Sequence, residues 1–170
     1  MKTIKYFCII LLITINVFSQ NKTKKKVNEP TKIETEQWIS ENIYSYSKKD
    51  YSFSNSYDLK FNDGLLLIKY TLVYTSGTST TVKSDYFIPI KEISYVRFET
   101  FDDAVFLRFV LKNNEKVKCK YETDNDFTYP QEFHINLSSA FKDNDMINRM
   151  TKAFNNLIKL NGGTVSKNTY

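Results

Sequence analysis

Between Asn55 and Leu137 the chain breaks into seven short runs parted by turn residues, and in several of them the apolar residues fall on every second position, a period that cannot be laid on a helix. Tyr57, Leu59 and Phe61 alternate with Asp58 and Lys60, and Asn62-Asp63-Gly64 then supplies the turn chemistry of a tight hairpin. A second strand spans 65–74, a polar loop follows at 75–81, and a third strand covers 84–90, where Pro89 marks an edge or a bulge. The fourth strand, 93–100, turns at Asp102-Asp103 into a fifth at 104–111, which is apolar on both faces and so asks for cover on both. Asn113-Asn114 reads as closing a hairpin to a sixth strand at 116–122. The seventh, 132–137, sends Phe133, Ile135 and Leu137 one way and His134 and Asn136 the other.

The period lengthens at both ends of this block. Thr31 and Glu34 have capping-box spacing, and the segment 31–47 sets Trp38, Ile39, Ile43 and Tyr46 on one stripe, which predicts an N-terminal helix. A lone amphipathic helix of this length must dock to persist. Over 143–161, Ile147, Met150, Phe154, Leu157 and Ile158 recur with helical spacing. Asp143, Asn144 or Asp145 stands ready to cap that helix, Asn161-Gly162-Gly163 ends it, and 164–170 is a tail. The folded part is therefore one domain, 31–163, and its aromatic content of 15% suits a β-rich core.

Residues 1–19 read as a secretory signal: Lys2 and Lys5, an apolar run over 6–18, then Val17 and Ser19 ahead of a cut before Gln20. The run is shorter than the ~20 apolar residues that cross a bilayer. The expectation is an exported protein, periplasmic or secreted. A linker at 20–30 follows, and 20–32 carries Lys22, Lys24, Lys25, Lys26 and Lys32 against Glu29 alone, while 33–170 holds 17 Lys/Arg against 18 Asp/Glu. The basicity sits in the linker rather than on a folded face, which argues against nucleic acid as a partner. Lys22, Lys24, Lys25 and Lys26 have two readings, a weak contact with an anionic membrane surface or a plainly solvated linker.

Beyond the signal Cys119 is the only thiol, placed by alternation with Val117 and Tyr121, so no intramolecular disulfide or cysteine metal site is expected. His134 is the single histidine and reads as exposed beside Asn136, and no G-x-S-x-G elbow presents a serine. Asp102-Asp103 reads as a turn; Asp124-Asn125-Asp126 and Asp143-Asn144-Asp145 lack the glycine and distal glutamate of a calcium loop. No catalytic residue, cofactor or metal is assigned. The candidate interaction surface is Tyr44, Tyr46, Tyr51 and Tyr57, crowded with Phe53 between the first helix and first strand, together with Arg97 and Arg108 on neighbouring strands. The arginines are expected on the outer face, where they receive an anionic ligand or pair with Glu99 and with Glu36 or Glu41.

Seven antiparallel strands closed off by a C-terminal helix resemble the pleckstrin-homology-like superfold. The passage Ile88-Pro89-Ile90-Lys91-Glu92-Ile93 looks like the short acidic step between strands three and four of such domains. The last helix running into Gly162-Gly163 is also similar to exported, uncharacterised Bacteroidetes-type domains. The resemblance covers 50–163 and implies sheets of four and three strands in a partly open barrel or roll plugged by the last helix. It departs from the phosphoinositide-binding members at the Asn62-Asp63-Gly64 turn, which has no basic cluster. The added N-terminal helix is expected over the outer face of the sheet, opposite Val105, Leu107 and Phe109, covering Phe106 and Val110.

The reading is thus an α+β, mainly β domain acting as a non-catalytic binding or interaction module of the cell envelope. A protein or peptide partner would add at a sheet edge near 88–93. The alternative is a carrier of a small apolar ligand or lipid, with a cavity lined by Leu66, Ile68, Phe98, Leu107, Phe109 and Phe133; a hydrolase is the least supported.

Overall fold

The computed structural model describes residues 29–49, 52–75, 80–130 and 133–166; the segment 1–19 read as a signal and most of the Lys-rich linker lie outside them. Helix α1 (Lys32–Tyr46) opens on the expected capping box: Glu34 N–H donates to Thr31 Oγ1 at 3.2 Å, and Thr31 N–H donates to Glu34 Oε2 at 2.8 Å. Because that amide binds the charged carboxylate, Glu34 titrates below its ordinary range. The helix buries Thr35, Ile39 and Ile43, one residue per turn. It ends at Ser47, whose hydroxyl donates to the Ile43 carbonyl.

The strands are β1 (Phe53–Asn62), β2 (Leu65–Tyr74), β3 (Thr80–Pro89), β4 (Ile93–Thr100), β5 (Ala104–Leu111), β6 (Lys118–Tyr121) and β7 (His134–Ser138). A two-residue turn with Asp63 at φ 45° and Gly64 at φ 80° joins β1 to β2, the primed geometry that matches strand twist. All pairs are antiparallel, in a four-stranded sheet ordered β1-β2-β3-β6 and a three-stranded sheet ordered β4-β5-β7, and the two are not closed into a barrel.

Pairing is not sequential, which corrects the hairpin expected at Asn113-Asn114. Both asparagines adopt positive φ (53° and 55°), but the turn they form carries the chain from β5 to the other sheet, where β6 lies against β3. β3 is therefore flanked on both sides over Ser84–Phe87, and Ile88, Ile90 and Ile93 are wholly buried. Burial thus covers the side chains of this passage, while Pro89 lies beyond the β6 pairing and β4, which begins at Ile93, is an edge strand of the three-stranded sheet.

The linker after α1 joins the two sheets. Ser47 bridges to Leu137, Lys48 N–H donates to the Asn136 carbonyl at 3.0 Å, and Asn55 N–H donates to the Lys48 carbonyl at 3.1 Å. Lys48 Nζ reaches Asp103 at the β4–β5 turn, 2.5 Å away.

Helix α2 (Met146–Leu160) follows a 3₁₀ stretch, Ser139–Asp145. Its cap residue Asp145 makes no side-chain bond to the helix backbone and instead accepts from the Asn148 side-chain amide. Met146, Met150, Phe154, Leu157 and Ile158 are buried, as their spacing requires. The helix ends in a Schellman motif, with Gly163 N–H donating to Ile158 O and Gly162 N–H to Lys159 O, and Gly162 at φ 77°. A Cβ on Gly163 would stand 2.6 Å from Ile158 Cγ2 and 3.0 Å from the Lys91 carbonyl, so only glycine fits. The chain beyond stays docked: Val165 packs on the core, and Ser166 N–H donates to the Ser94 carbonyl at 3.0 Å.

The core lies between the inner sheet faces and the two helices. An aromatic series crosses it through Tyr57, Tyr70, Tyr86, Phe133, Phe109 and Phe154, with neighbouring centroids 3.8–6.4 Å apart. Leu66, Ile68 and Leu107, three of the residues considered as a cavity lining, are wholly buried in this core, and Phe98 stacks on Phe141.

Candidate functional site

The outer face of β4-β5-β7 gathers more chemistry than any other face the sequence singled out. Alternation puts Tyr95, Arg97 and Glu99 of β4, Phe106, Arg108 and Val110 of β5, and His134 and Asn136 of β7 on the same side. Register sets Arg97 directly opposite Arg108, a like-charge pair that opposes sheet pairing unless an acid intervenes. Glu99, two residues along from Arg97, is that acid. Its Oε1 accepts from Arg97 Nη2, and its Oε2 lies 3.1 Å from Arg108 Nη2. Arg97 keeps 47% of its side chain exposed, against 24% for Arg108 and 21% for Glu99. Among the described residues the ion pairs of this cluster set two cations on one carboxylate.

Beside the cluster lies an aromatic stack. The Phe106 ring sits 4.2 Å from the His134 ring and 4.7 Å from Phe101, which is 47% exposed at the β4–β5 turn. His134 is thus half-buried against a ring rather than surrounded by water, which revises its expected exposure. The face can offer guanidinium donors to a carboxylate and an apolar ring to a neighbouring side chain, the pairing from which interface anchors are commonly built.

Helix α1 does not cover this face. It packs against α2, β1 and β7, with Arg149 of α2 over the Trp38 ring at 5.3 Å and Asn156 Nδ2 donating to Thr35 Oγ1 at 3.3 Å. Its stripe of Thr35, Ile39 and Ile43 matches the apolar face of α2, so helix docks on helix. Phe106 and Val110 owe their character to the stack and to the neighbours of their own sheet. Glu36 and Glu41 likewise answer to α1 itself, through Lys32 and Gln37, and not to the arginines.

Of the tyrosines singled out, Tyr44, Tyr46 and Tyr57 are not brought together. Tyr44 points to solvent at 68% exposure, Tyr46 meets Phe141 edge-on at 5.3 Å, and Tyr51 falls outside the described residues. Tyr57 is a core residue, 3% exposed, whose hydroxyl accepts from the Asn136 amide at 2.9 Å and so satisfies the free edge of β7. Burial pushes its phenol well above the ordinary range. Tyr44, Tyr46 and Tyr57 sit near one another in sequence, but helix and strand periods send them to different sides.

The second sheet holds what the sequence did not single out. Rows of the outer face of β1-β2-β3-β6 run Asp58, Lys69, Asp85, Lys120 and, next to it, Lys60, Leu67, Phe87, Lys118. Thr128 bridges to Cys119 with two backbone bonds, 2.8 and 2.7 Å, and brings Phe127 onto this face. There Phe127 meets Phe87 edge-on and lies 3.7 Å beneath Lys118 Nζ. The cross-strand rows needed the pairing of β6 with β3, which no local pattern carries. Among the described residues no cluster of His, Cys, Asp and Glu could hold a metal, and no helix is long and apolar enough to cross a membrane. No protein-family model, curated protein or solved structure matches the chain.

Proposed function

We propose that this chain is an exported, non-catalytic binding module of the cell envelope that takes a protein or peptide partner on the outer face of β4-β5-β7. The observation that carries the reading is the Arg97–Glu99–Arg108 cluster beside the exposed Phe101 ring. Arginine and aromatic residues dominate binding energy where they are concentrated, and a partner side chain pairing an acid with an apolar group matches both. Export rests on the order of charge, apolar run and small residues in 1–19. A place near the pleckstrin-homology-like superfold belongs to the same reading. The four-plus-three strands and terminal helix speak for it, and the pairing of β6 with β3 sets this chain apart.

The test immobilises wild type and an Arg97→Gln/Phe101→Ser double variant and exposes both to envelope extract at several salt concentrations. A partner held by wild type and lost by tenfold or more in the variant, about 1.4 kcal/mol, is the expected result. A partner retained equally by both moves the binding surface elsewhere and ends this assignment. The intact mass of the mature protein checks export separately, since a chain still beginning at Met1 contradicts cleavage before Gln20.

A further inference from the structure

We propose that the outer face of the four-stranded sheet is a self-association surface whose partner is a second copy of this chain. The argument rests on the order of charges and apolar residues across the strands. Read across the strands, one row is Asp58, Lys69, Asp85, Lys120, alternating in sign at every step. The next is Lys60, Leu67, Phe87, Lys118, and the next begins Asn62, Leu65, Pro89. A two-fold axis lying in the interface, parallel to the strands and between β2 and β3, keeps each row in place and reverses its order. Lys69 then faces Asp85 of the other copy, Asp58 faces Lys120, Leu67 faces Phe87 and Leu65 faces Pro89. An isologous contact demands a surface complementary to itself under rotation, and this row order meets that demand.

The alternating charges cross the middle of the strands, and the apolar residues Leu67, Phe87, Leu65 and Pro89 form a patch beside them at the end next to the β1–β2 turn. Lys60 faces Lys118 only at the outer corners. Both ammoniums reach water there, and Lys118 already lies against the Phe127 ring. Three ten-residue strands and the four residues of β6, ~4.8 Å apart with ~3.3 Å per residue, give a footprint of roughly 500 Å² per copy, at the small end of specific interfaces, so a micromolar dimer is expected. The outer face of β4-β5-β7 lacks this symmetry: its row places Arg97 against Arg108, with no acid strand by strand to answer them.

The experiment is sedimentation velocity on the folded chain from about 1 to 100 μM, with circular dichroism as the folding control. Wild type is expected to dimerise in that range, and Phe87→Glu to remain monomeric. Lys69→Asp and Asp85→Lys, each alone, set like charges face to face and should weaken self-association by about tenfold. Mixed in equal amounts they should form a heterodimer, because the aspartate introduced at 69 then meets the lysine introduced at 85 in one contact, and native Asp85 meets native Lys69 in the other. Folding defects cannot produce that recovery. A wild-type monomer throughout the range, including one that binds vesicles of anionic phospholipid instead, overturns the proposal. So does a dimer indifferent to Phe87→Glu, or a mixture no stronger than its components.

Discussion

On the outer face of β4-β5-β7 two arginines converge on a single carboxylate, whereas on β1-β2-β3-β6 aspartate and lysine alternate strand by strand. Both faces are charged, and both are built from residues that alternate with core positions. In the ladder every charge has an opposite neighbour across each hydrogen-bonded gap, so no single pair matters greatly and the long side chains remain hydrated. In the cluster one acid answers two bases, and both Glu99 and Arg108 have lost most of their water. Dispersed charge makes that row neutral and symmetric. Concentrated charge makes a face directional and dependent on one residue.

That difference can be broken outright at its narrowest point. Glu99→Ala leaves Arg97 and Arg108 opposed and takes the acid from a half-buried guanidinium, so urea denaturation should show a loss of about 2 kcal/mol. Asp85→Ala in the ladder should lose no more than about 0.5 kcal/mol. Equal losses would mean that the two faces carry charge alike. Within the cluster, double-mutant cycles should give a larger coupling for Arg108 with Glu99, about 1–2 kcal/mol, than for the more exposed Arg97 with Glu99, below about 1 kcal/mol.

The contrast extends to the inner faces. The four-stranded sheet lines the core with Tyr57, Tyr70 and Tyr86, and the three-stranded sheet lines it with Val105, Leu107, Ile135 and Leu137. Burial holds all three phenols protonated above their ordinary range, Tyr70 up to about 12. A raised folded-state value contributes stability that is complete below the unfolded value of about 10 and is lost as pH climbs through the folded value. Alkaline titration should therefore unfold the protein above about pH 10, by up to ~1.4 kcal/mol per pH unit for each phenol, followed by tyrosinate absorbance. Tyr57→Phe and Tyr70→Phe should flatten that slope. The smallest effect concerns the linker after α1: the Lys48 ammonium holds the Asp103 carboxyl below its usual range. Stability from that pair is present above the unfolded carboxylate value and fades as pH falls through the depressed one. Asp103→Asn should remove this acid dependence with a change in stability below either substitution above.

Local chemistry made much of this readable from sequence. β2, β4 and β5 lie where alternation put them, the Thr31–Glu34 box forms, and the α2 stripe is buried, because each depends on neighbours a few residues away. Partner choice does not. Asn113 and Asn114 take the positive φ of a hairpin turn and yet lead to a crossover, since a turn fixes backbone direction and the free side of β3 decides where β6 goes. Of the candidate site, Arg97, Arg108 and Glu99 were legible from period two alone. The same period had already placed Tyr57 with Leu59 and Phe61 on the inner face; crowding along the chain disguised it as a surface residue.

The crossings also set a timetable. The chain changes sheet after β3, after β5 and after β6, so neither sheet is a contiguous stretch, and the Tyr57–Asn136 bond spans 79 residues. A nascent chain can make the β1-β2-β3 meander early, but β5 lacks its second neighbour until residue 138 has emerged. Native contacts that close such long loops come slowly and together, so refolding should be a single, comparatively slow phase. Fragments cut at any of the three crossings should not fold alone, since each leaves one sheet short of a strand. For such a chain, staying open until nearly all of it is available is a property of strand order alone.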